Sequence, residues 1–253
     1  MCLILFAYKA RPDSRFIVAA NRDEFFSRPT APMDFWHDNS SILAGRDLKK
    51  GGTWLGINKN GKFAVLTNYR DPASNKNNPP SRGQIIKDYL ASDKNADDFL
   101  AQLQKEADSF NGFNIVLSDG EFLFWFSNKK GKPKQLTPGI YGLSNHLLNT
   151  PWPKIRKGTR ALKKIIVNKK HLSVDDLFHI LESREIPDDS ELPHTGVDLK
   201  WERILAPIFV ESPGYGTRSS SVMIINQNGH TLISERSFNE KGNLVCEKNF
   251  QIS

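Results

Sequence analysis

Two apolar runs of strand length, Leu3-Ile4-Leu5-Phe6-Ala7-Tyr8 and Phe16-Ile17-Val18-Ala19-Ala20, flank Arg11-Pro12-Asp13-Ser14, a stretch of turn composition. Short continuous apolar runs bounded by turn residues read as buried strands, so this pattern demands an antiparallel hairpin. With Pro12 and Asp13 at the turn centre, paired positions sum to 25 and Cys2 falls opposite Asp23. The hairpin thereby brings a thiol at the head of the chain to Asn21-Arg22-Asp23-Glu24, which supplies an amide, a guanidinium and two carboxylates.

Position matters here as much as residue type. Once Met1 is removed, Cys2 carries an α-amine of pKa about 7.7–8.0 beside a thiol of pKa about 8.5. One residue then holds both nucleophile and base, the N-terminal form of the activated-nucleophile scheme. In this reading Arg22 lowers the thiol pKa by its charge, and Asp23 holds the amine in place. Residue type alone supports a second reading, a small buried cysteine at the start of a strand followed by a charged turn.

The remaining composition narrows the field. A chain of 253 residues with 38% hydrophobic residues, 16 Phe and 5 Trp can bury a sizeable core, and it reads as a single domain over 1–253. Cys2 and Cys246 give no disulfide framework, which points to a reducing compartment and a cytoplasmic protein. No apolar stretch approaches the roughly 20 residues of a membrane helix, and the N-terminal run lacks the basic leader of a signal peptide. The net charge of +7 lies in short clusters, at Lys129-Lys130-Gly131-Lys132-Pro133-Lys134 and over 154–170. No nucleic-acid module accompanies them, so they read as a solvated face, with no nucleic-acid partner. The histidines at 37, 146, 171, 179, 194 and 230 show no metal-ligand spacing, and no glycine loop cradles a phosphate. No metal and no cofactor is expected.

Along the chain, Phe25 to Ile42 contains Pro29 and Pro32 and reads as irregular. Trp54 to Asn58 and Phe63 to Asn68 form a second hairpin about Lys59-Asn60-Gly61. Asn68 stands at its polar exit, where an amide serves either an oxyanion or its own turn. Ser81 with Gln84 reads as a capping box opening a helix toward Leu90, and a second helix covers Ala96 to Ala107. Strands follow at Phe113 to Leu117, Glu121 to Phe126 and Ile140 to Leu143, the last leading into Ser144-Asn145-His146. A basic helix runs from Trp152 to about Val167, and Ser173 with Asp176 caps another through Leu181. Glu185 to Gly196 is loop, and a third hairpin joins Ser220–Asn226 to His230–Ser237. Paired strands alternating with helix pairs, mostly over 81–107 and 152–183, predict an α+β protein of antiparallel sheets covered by helices.

The motifs in this order resemble the NRDE family, also called the Transport and Golgi organisation 2 family. They are Met1-Cys2, Ala19-Ala20-Asn21-Arg22-Asp23-Glu24, Gly51-Gly52-Thr53-Trp54-Leu55-Gly56, Leu66-Thr67-Asn68-Tyr69 and Asn111-Gly112-Phe113-Asn114. Tyr141-Gly142-Leu143-Ser144-Asn145, Thr150-Pro151-Trp152, Pro213-Gly214-Tyr215-Gly216-Thr217-Arg218 and Glu235-Arg236-Ser237 complete the set. That family is similar in turn to the N-terminal-nucleophile (Ntn) hydrolases of the choloylglycine hydrolase and penicillin V acylase type. The resemblance implies a four-layer αββα sandwich of two antiparallel sheets, with Cys2, Asp23, Asn68 and Asn145 as catalytic residues. It implies substrate contacts from Asn21, Arg22, Glu24 and Arg218. The group's arginine usually precedes the asparagine; here Ala20 takes that place and Arg22 stands inside the motif. Two functions follow as expectations. One is hydrolysis of a linear amide carrying an apolar acyl part, with Cys2 as nucleophile. The other is non-enzymatic carriage of haem or a fatty acyl-coenzyme A, since a hydrolase fold does not by itself imply hydrolysis.

Overall fold

The computed structural model describes residues 2–252. In chain order the strands are β1 Cys2–Arg11, β2 Ser14–Phe25, β3 Thr30–Trp36, β4 Asn39–Asp47, β5 Leu55–Asn58, β6 Phe63–Asn68 and β7 Phe113–Ser118. They continue as β8 Leu123–Ser127, β9 Lys134–Gln135, β10 Gly139–Leu143, β11 Glu211–Ser212, β12 Tyr215–Asn226, β13 Thr231–Phe238 and β14 Leu244–Ile252. The helices are α1 Arg82–Ala91, α2 Ala96–Glu106, α3 Pro153–Asn168, α4 Val174–Leu181 and α5 Leu199–Leu205.

The chain divides into two compact units, one sheet in each. The first unit takes the residues up to Ser27, Pro138–Ser144 and those from Leu148 onward. Its sheet has the order β10-β1-β2-β12-β13-β14, with β11 on β12, and every pairing is antiparallel. Leu3, Leu5, Ala7, Ile17, Ala19, Val222 and Ile224 turn one face of this sheet toward Ile155, Leu162 and Ile166 of α3 and Leu177, Phe178, Ile180 and Leu181 of α4. The second unit, Arg28–Thr137 with Asn145–Leu147, carries the antiparallel sheet β3-β4-β5-β6-β7-β8-β9. There α1 and α2 cover a face built from Ile42, Ala64, Leu66, Ile115, Leu117 and Phe126. This is the α+β class of helix-covered antiparallel sheets that the hairpin and helix pattern predicts.

Helix α3 lies unusually close to its sheet, and glycine is the reason. A Cβ on Gly158 would stand 2.6 Å from Leu5 Cδ1, and one on Gly142 of β10 would stand 2.7 Å from Ile155 Cγ2. Leu5 is fully buried and has nowhere to retreat. Gly158→Ala is therefore expected to destabilise the protein by about 1–3 kcal/mol through overpacking, although alanine is the better helix former by about 1 kcal/mol. Urea unfolding measures this, and an unchanged or higher midpoint would refute the close approach.

Four sequence expectations are corrected. Arg11 pairs with Ser14, as the Pro12-Asp13 turn requires, but a bulge between Tyr8 and Arg11 then shifts the register by one. Lys9 within it adopts φ 46°, in the left-handed region. Beyond the bulge Cys2 pairs with Arg22 and not with Asp23. The stretch from Phe25 to Ile42 is not irregular, because β3 is the edge strand of its sheet and carries Pro32 at a bulge between Ala31 and Asp34. An edge bulge is where a strand tolerates a residue that cannot donate to the ladder. Ser81 starts α1 through its carbonyl, which accepts from Gln84 N, and its side chain makes no cap. Ser173 and Asp176, in contrast, form the full capping box of α4. Finally, α5 and β14 were not foreseen. α5 spans only seven residues, and β14 is an edge strand with no fully buried residue.

Candidate active site

The first unit gathers Cys2, Asn21, Arg22, Asp23, Glu24 and Arg218 around the ends of β1, β2 and β12. Cys2 opens β1, and its carbonyl accepts a hydrogen bond from Ser144 Oγ at 2.9 Å. Arg22 lies directly opposite Cys2, and Ser219 lies directly opposite Arg22 on its other side. Side chains alternate across a strand, so these three share the sheet face that points away from α3 and α4.

The one-residue shift moves Asp23 and Asn21 to the other, helix-facing side, because a slip of one exchanges the faces. Asn21 is spent there. Its Nδ2 donates to Leu181 O at 3.0 Å and Ile208 O at 2.8 Å, and its Oδ1 accepts from Ser220 Oγ at 2.6 Å. Both amide protons thus tie β2 to the end of α4 and the segment after α5. Asp23 is 1% exposed, and its Oδ1 accepts from Thr217 Oγ1 at 2.8 Å. Thr217 Oγ1 also accepts from Val210 N at 2.9 Å, so its proton is directed at the carboxylate. Tyr215 donates its hydroxyl to Asp23 O at 3.2 Å.

Burial pushes the Asp23 carboxyl above its ordinary pKa. The strongest opposing effect among the described groups comes from the ammonium of Lys154, followed by the Thr217 hydrogen bond and the charge of Arg22. Lys154 is itself buried at the start of α3, where its Nζ donates to Leu205 O at 2.8 Å. Sequence reading placed this lysine on a solvated basic helix. The signal that finds it is helical phase, since Lys154, Gly158 and Leu162 fall four residues apart on the buried face.

Cys2 differs from its expectation as well. Arg22 does pull the thiol pKa down, but burial outweighs it and the neighbouring Asp23 charge adds to the rise, so the pKa is raised overall. The residue keeps partial exposure at its strand end. The resting group is accordingly a thiol and not a thiolate. Met1, whose removal the N-terminal-nucleophile scheme requires, lies outside the described residues.

Arg218 occupies the bulge between Thr217 and Ser219, where Nη1 donates to Phe25 O at 2.9 Å and to Phe26 O at 3.3 Å. Burial lowers its pKa, and the nearby positive charge of Arg22 lowers it further, while Glu24 acts in the opposite sense. Glu24 accepts from Phe25 N at 2.9 Å. Arg22 and Glu24 are thus each within electrostatic reach of Arg218.

Asn68 and Asn145 belong to the second unit and meet there. Asn145 Nδ2 donates to Asn68 O at 2.8 Å, and Asn145 O accepts from Arg70 N at 2.7 Å. Beside them the Tyr69 and His146 rings lie 4.9 Å apart, and burial lowers the His146 pKa. Among the described residues no group of three or more His, Cys, Asp or Glu is placed to hold a metal ion. Among the same residues, no helix is long and apolar enough to cross a membrane.

A family model described as Transport and Golgi organisation 2 matches residues 1–240. The Transport and Golgi organization protein 2 homolog of Bos taurus is 37% identical over 257 residues, spanning 94% of this chain and 93% of the relative. The Homo sapiens homolog is 36% identical over 261 residues, spanning 95% and 94%. Among solved structures, the C2A mutant of conjugated bile acid hydrolase from Clostridium perfringens aligns with TM-score 0.55 at 10% identity, over 100% of this chain and 97% of the other. At that identity the likeness shows a shared fold.

Proposed function

The chain belongs to the Transport and Golgi organisation 2 family, and from that premise we propose that it hydrolyses a linear amide of a small molecule with an apolar acyl part. The observation that carries this reading is the thiol of Cys2 at the first strand position, with Arg22 across from it and the charge of buried Asp23 within electrostatic reach. The aligned bile acid hydrolase carries a C2A mutation in its solved form, which adds support from a protein of the same fold.

In this mechanism the α-amine exposed by loss of Met1 takes the Cys2 proton, and Sγ attacks the amide carbonyl carbon. The C–N bond breaks, the amine leaves with that proton, and a thioester remains on Sγ. Water then delivers hydroxyl to the acyl carbon and a proton to Sγ. A raised thiol pKa suits this order of events, since the proton departs only as attack begins. Asp23, whose burial Lys154 and Thr217 partly offset, positions the amine. Asn68 and Asn145 take the oxyanion role by resemblance. Arg22, Arg218 and Glu24 face the substrate, while Asn21 braces β2. Two cysteines outside any disulfide fit a reducing, cytoplasmic setting.

Protein expressed untagged is expected to have lost Met1 by intact mass and to release amine from a panel of fatty N-acyl amides. A thioester-sized mass increase should appear on the Cys2 peptide during turnover. Retained Met1 and no turnover would overturn the reading. If haemin or a long-chain acyl-coenzyme A then bound wild type but not Arg22→Ala, carriage would take its place.

A further inference from the structure

Helix α3 carries a charge pattern that the proposed chemistry leaves unused. Its residues Pro153–Asn168 include no acidic side chain. At 3.6 residues per turn, Arg156, Lys157, Arg160, Lys163, Lys164 and Val167 fall within an arc of about 120°. All six are exposed, and they lie opposite the stripe of Ile155, Leu162 and Ile166 that packs on the sheet. Arg156 and Lys157 pair with Glu191 and Glu185 of the loop that follows α4. Arg160, Lys163 and Lys164 make no ion pair among the described residues. Past the helix, Lys169 pairs with Asp176, and Lys170 and His171 extend the exposed surface. Arg11 adds a cation at this end, donating from Nη1 to Ile166 O at 3.2 Å and to Lys169 O at 2.6 Å. Apolar side chains stand among these charges. Val167 is 70% exposed, the most of any large apolar residue described, and Ile186, 60% exposed, borders one hollow with Arg156 and Arg160. Between α3 and α4 runs a groove of about 600 Å³ lined by Ala161, Ile165 and Ile180 together with Lys164 and Lys169.

We propose that this face of α3 docks on an anionic lipid bilayer, with Arg160, Lys163, Lys164 and Lys170 over the charged headgroups and Val167 and Ile186 seated between them. A helix with one face in a protein core and the other cationic, tipped with aliphatic side chains, suits the plane of a membrane surface. Nucleic acid would draw the same cations, but its single strands are held on aromatic platforms, and α3 contains no aromatic residue. The acidic residues around the face are Glu185, Asp188 and Glu191 near the start of α3, and Asp176 and Glu182 along the groove. They leave the net positive charge on the later turns of the helix, where Val167 also stands. The docking surface is independent of the hydrolase reading, and neither Cys2 nor Arg22 takes part in it.

Vesicle flotation tests this. The protein is expected to bind phosphatidylcholine vesicles containing 30% phosphatidylserine, to ignore pure phosphatidylcholine, and to release as salt rises from 0.1 to 0.5 M. Each cation near an anionic surface contributes about fivefold, so Arg160→Glu/Lys163→Glu/Lys164→Glu should weaken binding more than 100-fold. Lys130→Glu/Lys132→Glu/Lys134→Glu makes the same change in net charge at another basic cluster and should bind within a few fold of wild type. Val167→Asp should cost about tenfold through loss of one seated apolar side chain. Circular-dichroism melting checks that each variant is folded; the Gln versions of the α3 triple variant replace it if it is not. Binding that ignores lipid charge, survives the α3 substitutions or falls equally in both triple variants would overturn the proposal. So would capture of poly(U) RNA without vesicle binding, which would make the face a nucleic-acid surface.

Discussion

Lys154→Met is expected to destabilise the protein by about 3–5 kcal/mol at pH 7, the usual cost of removing one partner from a buried charge pair. The methionine matches the lysine stem in volume but leaves two groups without their counterpart. Leu205 O loses the donor that now reaches it at 2.8 Å, and Asp23 loses the strongest described charge that favours its ionised form. The pH dependence identifies the cause. The Asp23 carboxyl already has a raised folded pKa, so its contribution to stability is fully present below about pH 3.9, its unfolded value. That contribution is lost as pH rises through the folded pKa. Removing Lys154 raises the folded value further, so the penalty of the substitution should shrink as pH falls and Asp23 takes up its proton. Adding Asp23→Asn should recover about 2 kcal/mol of the loss at pH 7, since the residue left behind no longer carries a charge. Urea unfolding of the single and double variants at pH 5 and pH 7 provides the cycle. A loss below about 1 kcal/mol, or one independent of pH, would refute the pairing.

Cys2 should prove both a slow thiol and an indispensable one. Its pKa is raised, chiefly by burial, so its thiolate fraction at pH 7 falls below that of a free cysteine of pKa about 8.5. Alkylation by iodoacetamide at pH 7 should accordingly be slower than for free cysteine, with a midpoint shifted to higher pH. Amide turnover should instead follow the α-amine, rising with a midpoint near 7.7–8.0. Cys2→Ala should reduce that turnover by about 10⁴-fold or more, the scale seen when a covalent nucleophile is deleted. A thiol midpoint below the ordinary range would show that Arg22 outweighs burial. Turnover surviving in Cys2→Ala would remove Cys2 from the chemistry.

The faces of β2 illustrate how close a sequence reading comes and where it stops. Pro12-Asp13 was legible as the turn because proline and aspartate have strong local preferences, and Arg11 does pair with Ser14. The bulge at Tyr8 to Arg11 has no comparable signature, since a lysine at φ 46° is held there by the sheet and not by its own preference. That single residue decides which side chains stand beside the thiol. It gives Cys2 an arginine as cross-strand neighbour and sends Asp23 to Thr217 and Lys154.

What the sequence determined by itself is what local patterns encode. The buried strands, the α+β class, the helices over 81–107 and 152–183, and the meeting of Cys2 with the Asn21–Glu24 segment all follow from apolar periodicity and turn chemistry. The family was legible as well, from motifs spread along nearly the whole chain. Tertiary structure alone decided the electrostatics. Whether Arg22 or burial governs the Cys2 thiol depends on how much water remains around the sulfur, which no spacing of residues records. Likewise Lys154 becomes a counter-charge, and Ser219 a buried hydroxyl with no hydrogen-bond partner among the described residues, only when distant segments close over them. Charge and hydrogen-bonding capacity are written in the residue, but their energies are set by the dielectric and the neighbours that folding supplies.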